Sequence, residues 1–115
     1  MITREQLVKI DAIAKEAVNT MHPPKQYTAS VNGQHFPEPF ELCGFAWVNV
    51  HGIRKQEDKA PLQAFGFKRN EYEKAQQLWV SGYEQSAARK EAYAQAFAAE
   101  LRTLGFKAYA GSRLD

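Results

Sequence analysis

Three groups of basic residues in this chain have a glycine or an aromatic residue close by, and they are candidates for ligand chemistry. In chain order they are Gly52 with Arg54, Lys68 and Arg69 beside Tyr72, and Arg113 beside Tyr109. A guanidinium binds phosphate through paired hydrogen bonds, while a nearby ring can stack on a base. Glycine also lets a ligand approach the backbone closely. Each group is therefore predicted to bind a phosphate-bearing ligand, the alternative being a solvated surface of mixed charge.

A fourth candidate is the start of a predicted helix that follows Ser86. Its first turn carries Arg89 and Lys90 where acidic residues are preferred. Cations at this positive end cost about 0.3–1 kcal/mol unless a negative group compensates. Free amides and Arg89, with Gln85 and Ser86 adding polar contacts, would bind a phosphate. The alternative is that Glu84 or Glu91 neutralises both cations, or that their side chains extend into water.

Metal and nucleophile chemistry find little support in the sequence. The three histidines stand at no metal-ligand spacing, and no P-loop, GxGxxG or GxSxG occurs. The single cysteine, Cys43, lies in the most apolar stretch and is predicted to be a buried, inert thiol. Glu38 and Glu41 could form a carboxylate pair, but Pro39 separates them. We predict no catalytic residue, no metal and no cofactor.

Length and charge narrow the class of protein. The 115 residues fit one domain, and 15 basic against 13 acidic residues give a net charge of +2. That balance argues against a nucleic-acid partner bound through charge alone. No apolar run approaches the ~18 residues of a membrane helix, and the charged start lacks a signal peptide. A single domain over 1–115 is expected, cytoplasmic and without membrane contact.

Two helices are clearly signalled. The first spans about 3–22, with Thr3 as N-cap and Gln6 completing a capping box. The second spans about 87–104 from the Ser86 cap and ends at Gly105. Apolar residues recur at helical spacing in both, including Leu104 in the second. Each helix is therefore predicted to bury one face.

The strands lie mainly between the helices, in a region of sheet and loops over about 26–82. The run 42–50 is too apolar on both faces for an exposed edge, and its Gly44 suggests a bulge or a close backbone approach. Trp47 and Trp79 are predicted to be core residues. The remaining predicted elements are a strand at 26–31 with a turn at 32–33, a short helix at 60–65, and strands at 78–80 and about 106–110. This order predicts an α+β fold, an antiparallel or mixed sheet packed by two main helices.

Three stretches carry a resemblance to a known group of proteins. They are CGFAWVNV at 43–50, WVSGYEQSAARKEAYAQAFAAEL at 79–101 and AYAGSRLD at 108–115. Over about residues 40–115 the chain resembles small phage-encoded proteins, and it is similar to the anti-Thoeris proteins that act as sponges for cyclic nucleotide signals. The N-terminal helix and the proline-rich stretch that follows it lie outside this resemblance.

The resemblance implies binding without catalysis. Members of that family hold cyclic ADP-ribose-type messengers, and in some cases cyclic trinucleotides, as homo-oligomers in the host cytoplasm. It places Gly52 and Arg54 in a cyclic-oligonucleotide pocket and makes Arg113 a pyrophosphate-binding arginine. Two alternatives remain open: an inhibitor that binds a host protein complex through 51–74, and a small nucleic-acid-binding domain that uses the basic residues of that region.

Overall fold

The first helix, α1 (Arg4–Thr20), begins at the predicted capping box. The structure is a computed structural model that describes residues 1–21, 26–27, 30–31, 34–35, 40–83 and 86–115, with only backbone pairing described between 26 and 40. Thr3 Oγ1 accepts a hydrogen bond from the Gln6 amide at 3.2 Å, and Gln6 Oε1 accepts one from the Thr3 amide at 2.8 Å. These bonds satisfy backbone donors that a helix start leaves free. The helix ends at Thr20, two residues before the predicted end.

Four short strands follow in two antiparallel pairs. They are β1 (Gln26–Tyr27), β2 (Ser30–Val31), β3 (Gln34–His35) and β4 (Phe40–Glu41). β1 pairs with β4, and β2 pairs with β3 so that Val31 stands opposite Gln34. The strand predicted over 26–31 is therefore represented by two short strands with different partners. The predicted turn at 32–33, like Glu38 and its flanking prolines, lies outside the described residues.

The main sheet has four strands, all antiparallel, in the order β6-β7-β5-β8. Their bounds are β5 (Gly44–His51), β6 (Lys68–Asn70), β7 (Ala75–Trp79) and β8 (Lys107–Leu114). The apolar strand β5 lies between two partners, as predicted. β8 extends four residues beyond the predicted end at 110, because β5 continues to pair with it as far as Gly44 opposite Leu114. The predicted α+β fold is confirmed, with an antiparallel sheet.

Alternation along β5 gives this sheet two different faces. Ala46, Val48 and Val50 are buried in the core that the helices cover. The residues between them, from Phe45 to His51, face away from the helices because successive side chains point to opposite sides of a sheet. The helices therefore pack on one face and leave the other to polar and aromatic residues.

Two more helices complete this covered face. α2 (Gln56–Phe65) begins four residues before the predicted 60–65, because Glu57 and Asp58 suit its positive end. α3 (Ala87–Thr103) has the predicted Ser86 cap and packs against α1, β5 and β8. Leu104, predicted to be buried, is instead 44% exposed because the helix has already ended there. Among the described residues no helix is long and apolar enough to cross a membrane.

Gly44 marks a close backbone approach at the start of β5. A Cβ atom at this position would lie 2.6 Å from the carbonyl oxygen of Arg113 and 2.8 Å from Cβ of Ala87. Both distances are too short for a side chain. The glycine therefore allows α3 and β8 to meet at this end of the sheet, which confirms one of the two predicted roles.

Candidate functional site

A cleft of about 590 Å³ opens on the helix-covered side of the sheet, at its β6 edge. The loop after β5, helix α2 and the β6–β7 hairpin enclose it. Its lining residues are Gly52, Ile53, Arg54, Lys59, Gln63, Arg69, Glu71, Lys74 and Gln76. The size is typical of small-molecule sites. Of the residues predicted from the sequence, the cleft brings together Gly52, Arg54 and Arg69.

The cleft is strongly basic. Four cationic side chains line it, from Arg54, Lys59, Arg69 and Lys74. Among its described lining residues the one carboxylate is Glu71, whose Oε1 lies 3.4 Å from Nε of Arg69. This pair is largely exposed, so the attraction between its charges is weak. The remaining three positive charges converge without a carboxylate of the cleft to balance them, which favours an anionic ligand.

Two cleft residues have a backbone conformation that is rare for most side chains. Gly52 has φ of 74°, and a Cβ there would meet no atom of the described residues within 4 Å. Lys74 has φ of 53°, a left-handed conformation that costs a non-glycine residue roughly 1–2 kcal/mol. This conformation ends the β6–β7 turn beside the cleft. Residues held in such conformations are frequent at ligand sites.

Gln76 is the most unusual residue of the cleft. It stands opposite Arg69 on one side and Val50 on the other, and its side chain is 2% exposed. Its Oε1 is buried and has no hydrogen-bond partner among the described residues. An unsatisfied buried amide costs about 1–3 kcal/mol. Gln76 is therefore a polar group that lines the cleft and lacks a donor.

Sequence reasoning did not find Lys59, Lys74 or Gln76. Lys59 belongs to α2 and Lys74 belongs to the turn between β6 and β7. The sequence predicts neither element at these positions. Gln76 carried a recognisable signal, since it alternates with Leu78 and Val80 on the apolar side of a strand. A polar residue at an inward position is the kind of exception that marks a site.

The start of α3 already contains an anion, the carboxylate of Glu41. The Ser86 hydroxyl accepts a hydrogen bond from the Arg89 amide at 3.3 Å, and Glu41 Oε1 lies 3.2 Å from Nη2 of Arg89. A hydrogen bond from Ser86, and then the Arg89 guanidinium, lower the pKa of Glu41. The carboxylate paired with Arg89 is thus Glu41 and not the predicted Glu91, which accepts a hydrogen bond from Gln95. The other predicted glutamate, Glu84, lies outside the described residues. Gln85, also predicted here, lies outside the described residues.

Lys90, the second cation of that first turn, is a structural residue. It is 5% exposed, and its Nζ donates a hydrogen bond to the Gly44 carbonyl at 3.3 Å. The same Nζ lies 5.7 Å from the centre of the Phe45 ring. The buried charge is thus held by a carbonyl dipole and an aromatic ring.

The remaining predicted site residues lie on the opposite face of the sheet. Lys68 and Arg69 are neighbours in β6 and therefore point to opposite faces. Arg113 does not pair with Tyr109; its guanidinium lies 5.2 Å from the ring centre of Phe45. Tyr109 is 55% exposed and lies near Arg102 and His51. The nine predicted residues thus divide among the cleft, the α3 start, this outer face and the undescribed position 85.

Two further predictions of burial are wrong. Cys43 is exposed, because it precedes β5, and its bridge to Ser86 lies outside the sheet. Trp79 is 48% exposed, because it lies at the end of β7 on the face away from the helices. Trp47 is only partly buried, on the same face. Apolar character alone did not distinguish the two faces.

A second cavity, of about 380 Å³, is lined by Asp11, Lys15, Tyr83 and Tyr93 among others. Tyr93 donates a hydrogen bond to Asp11, which also pairs with Lys15 at 2.9 Å. Burial, followed by the bond to Asp11, raises the pKa of Tyr93. These groups satisfy one another. In the described part of the chain no cluster of three His, Cys, Asp or Glu residues could hold a metal ion.

Comparison of the chain with protein-family models, curated proteins and solved structures finds no match. The chemistry of the basic cleft is therefore the basis for assigning a function.

Proposed function

We propose that this protein binds a phosphate-bearing small molecule of the cyclic-nucleotide class in the basic cleft and holds it unchanged. The observation that carries the proposal is the convergence of Arg54, Lys59, Arg69 and Lys74 on one cleft of about 590 Å³ with a single carboxylate among its described lining residues. Such a protein withdraws a signal from its receptor by mass action. This is the activity implied by the resemblance to anti-Thoeris sponges, in the host cytoplasm and as a homo-oligomer.

The cleft supplies what such a ligand needs. Two phosphates carry two negative charges, and the guanidinium groups of Arg54 and Arg69 bind phosphate oxygens through paired hydrogen bonds. Lys59 and Lys74 add charge that does not depend on a fixed geometry. Gly52 leaves the loop backbone accessible, and the Gln76 amide offers hydrogen bonds to a base or a sugar hydroxyl.

The same residues favour binding the ligand unchanged over converting it to a product. A hydrolytic reaction needs a base or nucleophile placed beside the reacting phosphate. The carboxylate of the described cleft, Glu71, is 84% exposed and lies beside Arg69. The other polar side chains that line the cleft are four cations and the amides of Gln63 and Gln76, which bind a phosphate-bearing ligand without attacking it.

Thermal unfolding with candidate ligands tests the proposal. The panel contains cyclic ADP-ribose isomers, cyclic di- and trinucleotides, and their linear counterparts. A ligand at a hundred times its Kd adds about 2.7 kcal/mol, which raises the Tm of a chain this size by several degrees. The bound ligand is then released by denaturation and identified by mass. We expect a shift with one cyclic class and recovery of that ligand intact.

Neighbouring residues of β6 provide a matched control. Arg69→Ala should weaken the Kd about 10- to 100-fold, the usual effect of losing a charge-assisted hydrogen bond. Lys68→Ala removes the adjacent charge from the other face and should leave the Kd unchanged. Equal effects of the two variants would show that only overall charge matters and would refute the cleft.

Two results would overturn the function itself. A linear product recovered from the bound fraction would make the protein an enzyme. The lack of any shift across the panel would favour the alternative of an inhibitor that binds a host protein.

A further inference from the structure

The sheet face away from the helices carries a row of aromatic rings, here called the aromatic face and defined by Phe45, Trp47, Trp79 and Tyr109. The rings of Phe45 and Trp79 lie 5.8 Å apart at 74°, and those of Trp79 and Trp47 lie 5.1 Å apart at 41°. Trp79 is 48% exposed and Tyr109 is 55% exposed. Trp79 is thus an exposed ring in contact with two partly buried rings, and Tyr109 is a second exposed ring on the same face. Exposed aromatic surface of this kind can mark an interaction site.

These rings are fixed in place by their surroundings. Nε1 of Trp79 donates to Oε1 of Gln77 at 2.8 Å, and Nε2 of Gln77 donates to Oδ1 of Asn49 at 2.9 Å. Trp47 lies so close to Gly111 that any Cβ there would overlap the indole. A buried polar network and a glycine thus orient two tryptophans that are themselves partly exposed. Preorganisation of this kind lowers the entropic cost of binding.

The charge of this face has one sign. Lys68, Lys107 and Arg113 occupy outward positions of β6 and β8, and all three are exposed. On the described main-sheet strands no outward position carries Asp or Glu. The small net charge of +2 therefore conceals a sheet face on which the charged strand positions are all basic, with Arg113 5.2 Å from the Phe45 ring centre.

We propose that the aromatic face binds single-stranded nucleic acid, with bases stacked on Trp79 and its neighbouring rings and phosphates held by Lys68, Lys107 and Arg113. Stacking on exposed rings beside basic side chains is the general basis for binding single strands. The rings follow adjacent strands of one sheet face, where Trp79 also lines the second cavity. An extended surface of this kind suits a chain, whereas a small ligand requires a concave site. A rigid duplex keeps its bases stacked on each other and does not offer them to such a face.

This proposal is independent of the cleft, which lies on the other side of the sheet. It also departs from the sequence-based expectation about nucleic acid, because that expectation rested on charge averaged over the whole chain. The net charge of the whole chain does not show that cations are concentrated on one face of the sheet.

Fluorescence provides a direct test, because both tryptophans of the chain lie on this face. Ten-nucleotide strands of dT or U are titrated into the protein, and tryptophan emission is followed together with the anisotropy of a labelled strand. Binding should quench the emission and raise the anisotropy. For three phosphate contacts, log K should fall with log salt at a slope of about −2. A duplex of equal length should bind much more weakly.

Variants separate stacking from charge. Trp79→Ala should weaken binding on the order of tenfold, since each stacked base contributes substantially, whereas Trp79→Phe should retain most of it. Arg113→Ala should reduce the magnitude of the salt slope by about 0.7. Arg69→Ala, from the cleft, should leave strand binding unchanged, so that this proposal and the proposed function fail separately. Circular dichroism confirms that each variant is folded.

Several outcomes would overturn the proposal. These are unchanged emission and anisotropy at low salt, equal affinity for the duplex, or full binding by Trp79→Ala. Light scattering that shows a dimer, together with tryptophan emission that depends on protein concentration alone, would assign the face to self-association instead.

Discussion

Gln76 stands directly opposite Arg69 in the β6–β7 pair, yet its buried Oε1 receives no hydrogen bond from any described residue. The next residue, Gln77, has the opposite situation. Its Oε1 accepts from Trp79 and Asn70, and its Nε2 donates to Asn49. Adjacent glutamines of one strand therefore differ in whether their amides are satisfied, because they lie on opposite faces of the sheet.

Replacing Gln76 with an apolar residue should stabilise the protein. Gln76→Met keeps the length of the side chain and removes an unsatisfied amide, so we expect the free energy of unfolding to rise by about 1 kcal/mol. Urea denaturation measures this change. The same variant should bind the cleft ligand more weakly, since the amide is absent.

Gln77→Met is the matched control. It leaves the partners of three hydrogen bonds unsatisfied and should lower the free energy of unfolding by about 1–3 kcal/mol. If Gln76→Met is as destabilising as Gln77→Met, then the Gln76 amide is satisfied in solution. Gln76 would then no longer indicate a ligand in the cleft.

Gly44 provides a prediction about packing. Gly44→Ala should lower the free energy of unfolding by about 1–3 kcal/mol, because the added methyl group collides with the β8 backbone and with Ala87. Gly44→Asn should be at least as harmful, since the obstacle is space.

Gly52 provides the contrasting case, in which backbone conformation and not space limits the substitution. A side chain there has room, so only its φ of 74° matters. Gly52→Ala should therefore be destabilising, while Gly52→Asn should recover much of the loss because asparagine tolerates the left-handed region. Recovery by asparagine at Gly44 as well would contradict the steric explanation. Chemical denaturation of the four variants decides between these outcomes.

The parts of the fold that follow from local chemistry could be predicted from the sequence. The capping box at Thr3, the Ser86 cap and the stop at Gly105 depend on residues within one helical turn, and all three are present. The last residues of β8, around Gly111, resemble a polar tail and become a strand because β5 offers them a partner. Such pairing is decided by residues distant in the chain.

The candidate site was only partly predictable for the same reason. Arg54 and Arg69 were identified by residue type, but Lys59 and Lys74 join them through tertiary structure. Lys68 and Arg69 were grouped together because they are adjacent in sequence. Strand geometry separates them, and a β6 assignment would have revealed it.

The Glu41 carboxylate should make the free energy of unfolding decrease as the pH falls into the acid range. Its pKa is lowered by Ser86 and Arg89 from the ordinary 4.5, so its ionised form is favoured in the folded state. The stabilisation is present above pH 4.5 and is lost as the pH falls through the lower, folded-state pKa. Glu41→Gln should be less stable than the natural protein at pH 7, and the difference should shrink towards zero in acid.

Thermal unfolding from pH 7 to pH 2 measures this difference. Glu16→Gln serves as the control, because the Glu16 side chain is exposed and makes no ion pair or hydrogen bond within the described part of the chain. A difference for Glu41→Gln that stays constant through the acid range would show that the carboxylate contributes through packing alone.

Tyr93 should make the free energy of unfolding decrease at high pH, whereas Glu41 makes it decrease at low pH. Burial, then the hydrogen bond to Asp11, raise its pKa from the ordinary 10.0, so the protonated phenol is favoured in the folded state. The stabilisation is complete below pH 10 and is lost as the pH rises towards the folded-state pKa, because the unfolded chain releases that proton first. Tyr93→Phe loses a hydrogen bond to a charged group, which should cost about 1.5–3 kcal/mol at pH 7.

The difference in free energy of unfolding between Tyr93→Phe and the natural protein should narrow above pH 10. Urea denaturation measures it, with Tyr72→Phe as the control because the Tyr72 side chain is 92% exposed. A gap that stays unchanged up to pH 11.5 would mean that the phenol does not titrate differently in the folded and unfolded states.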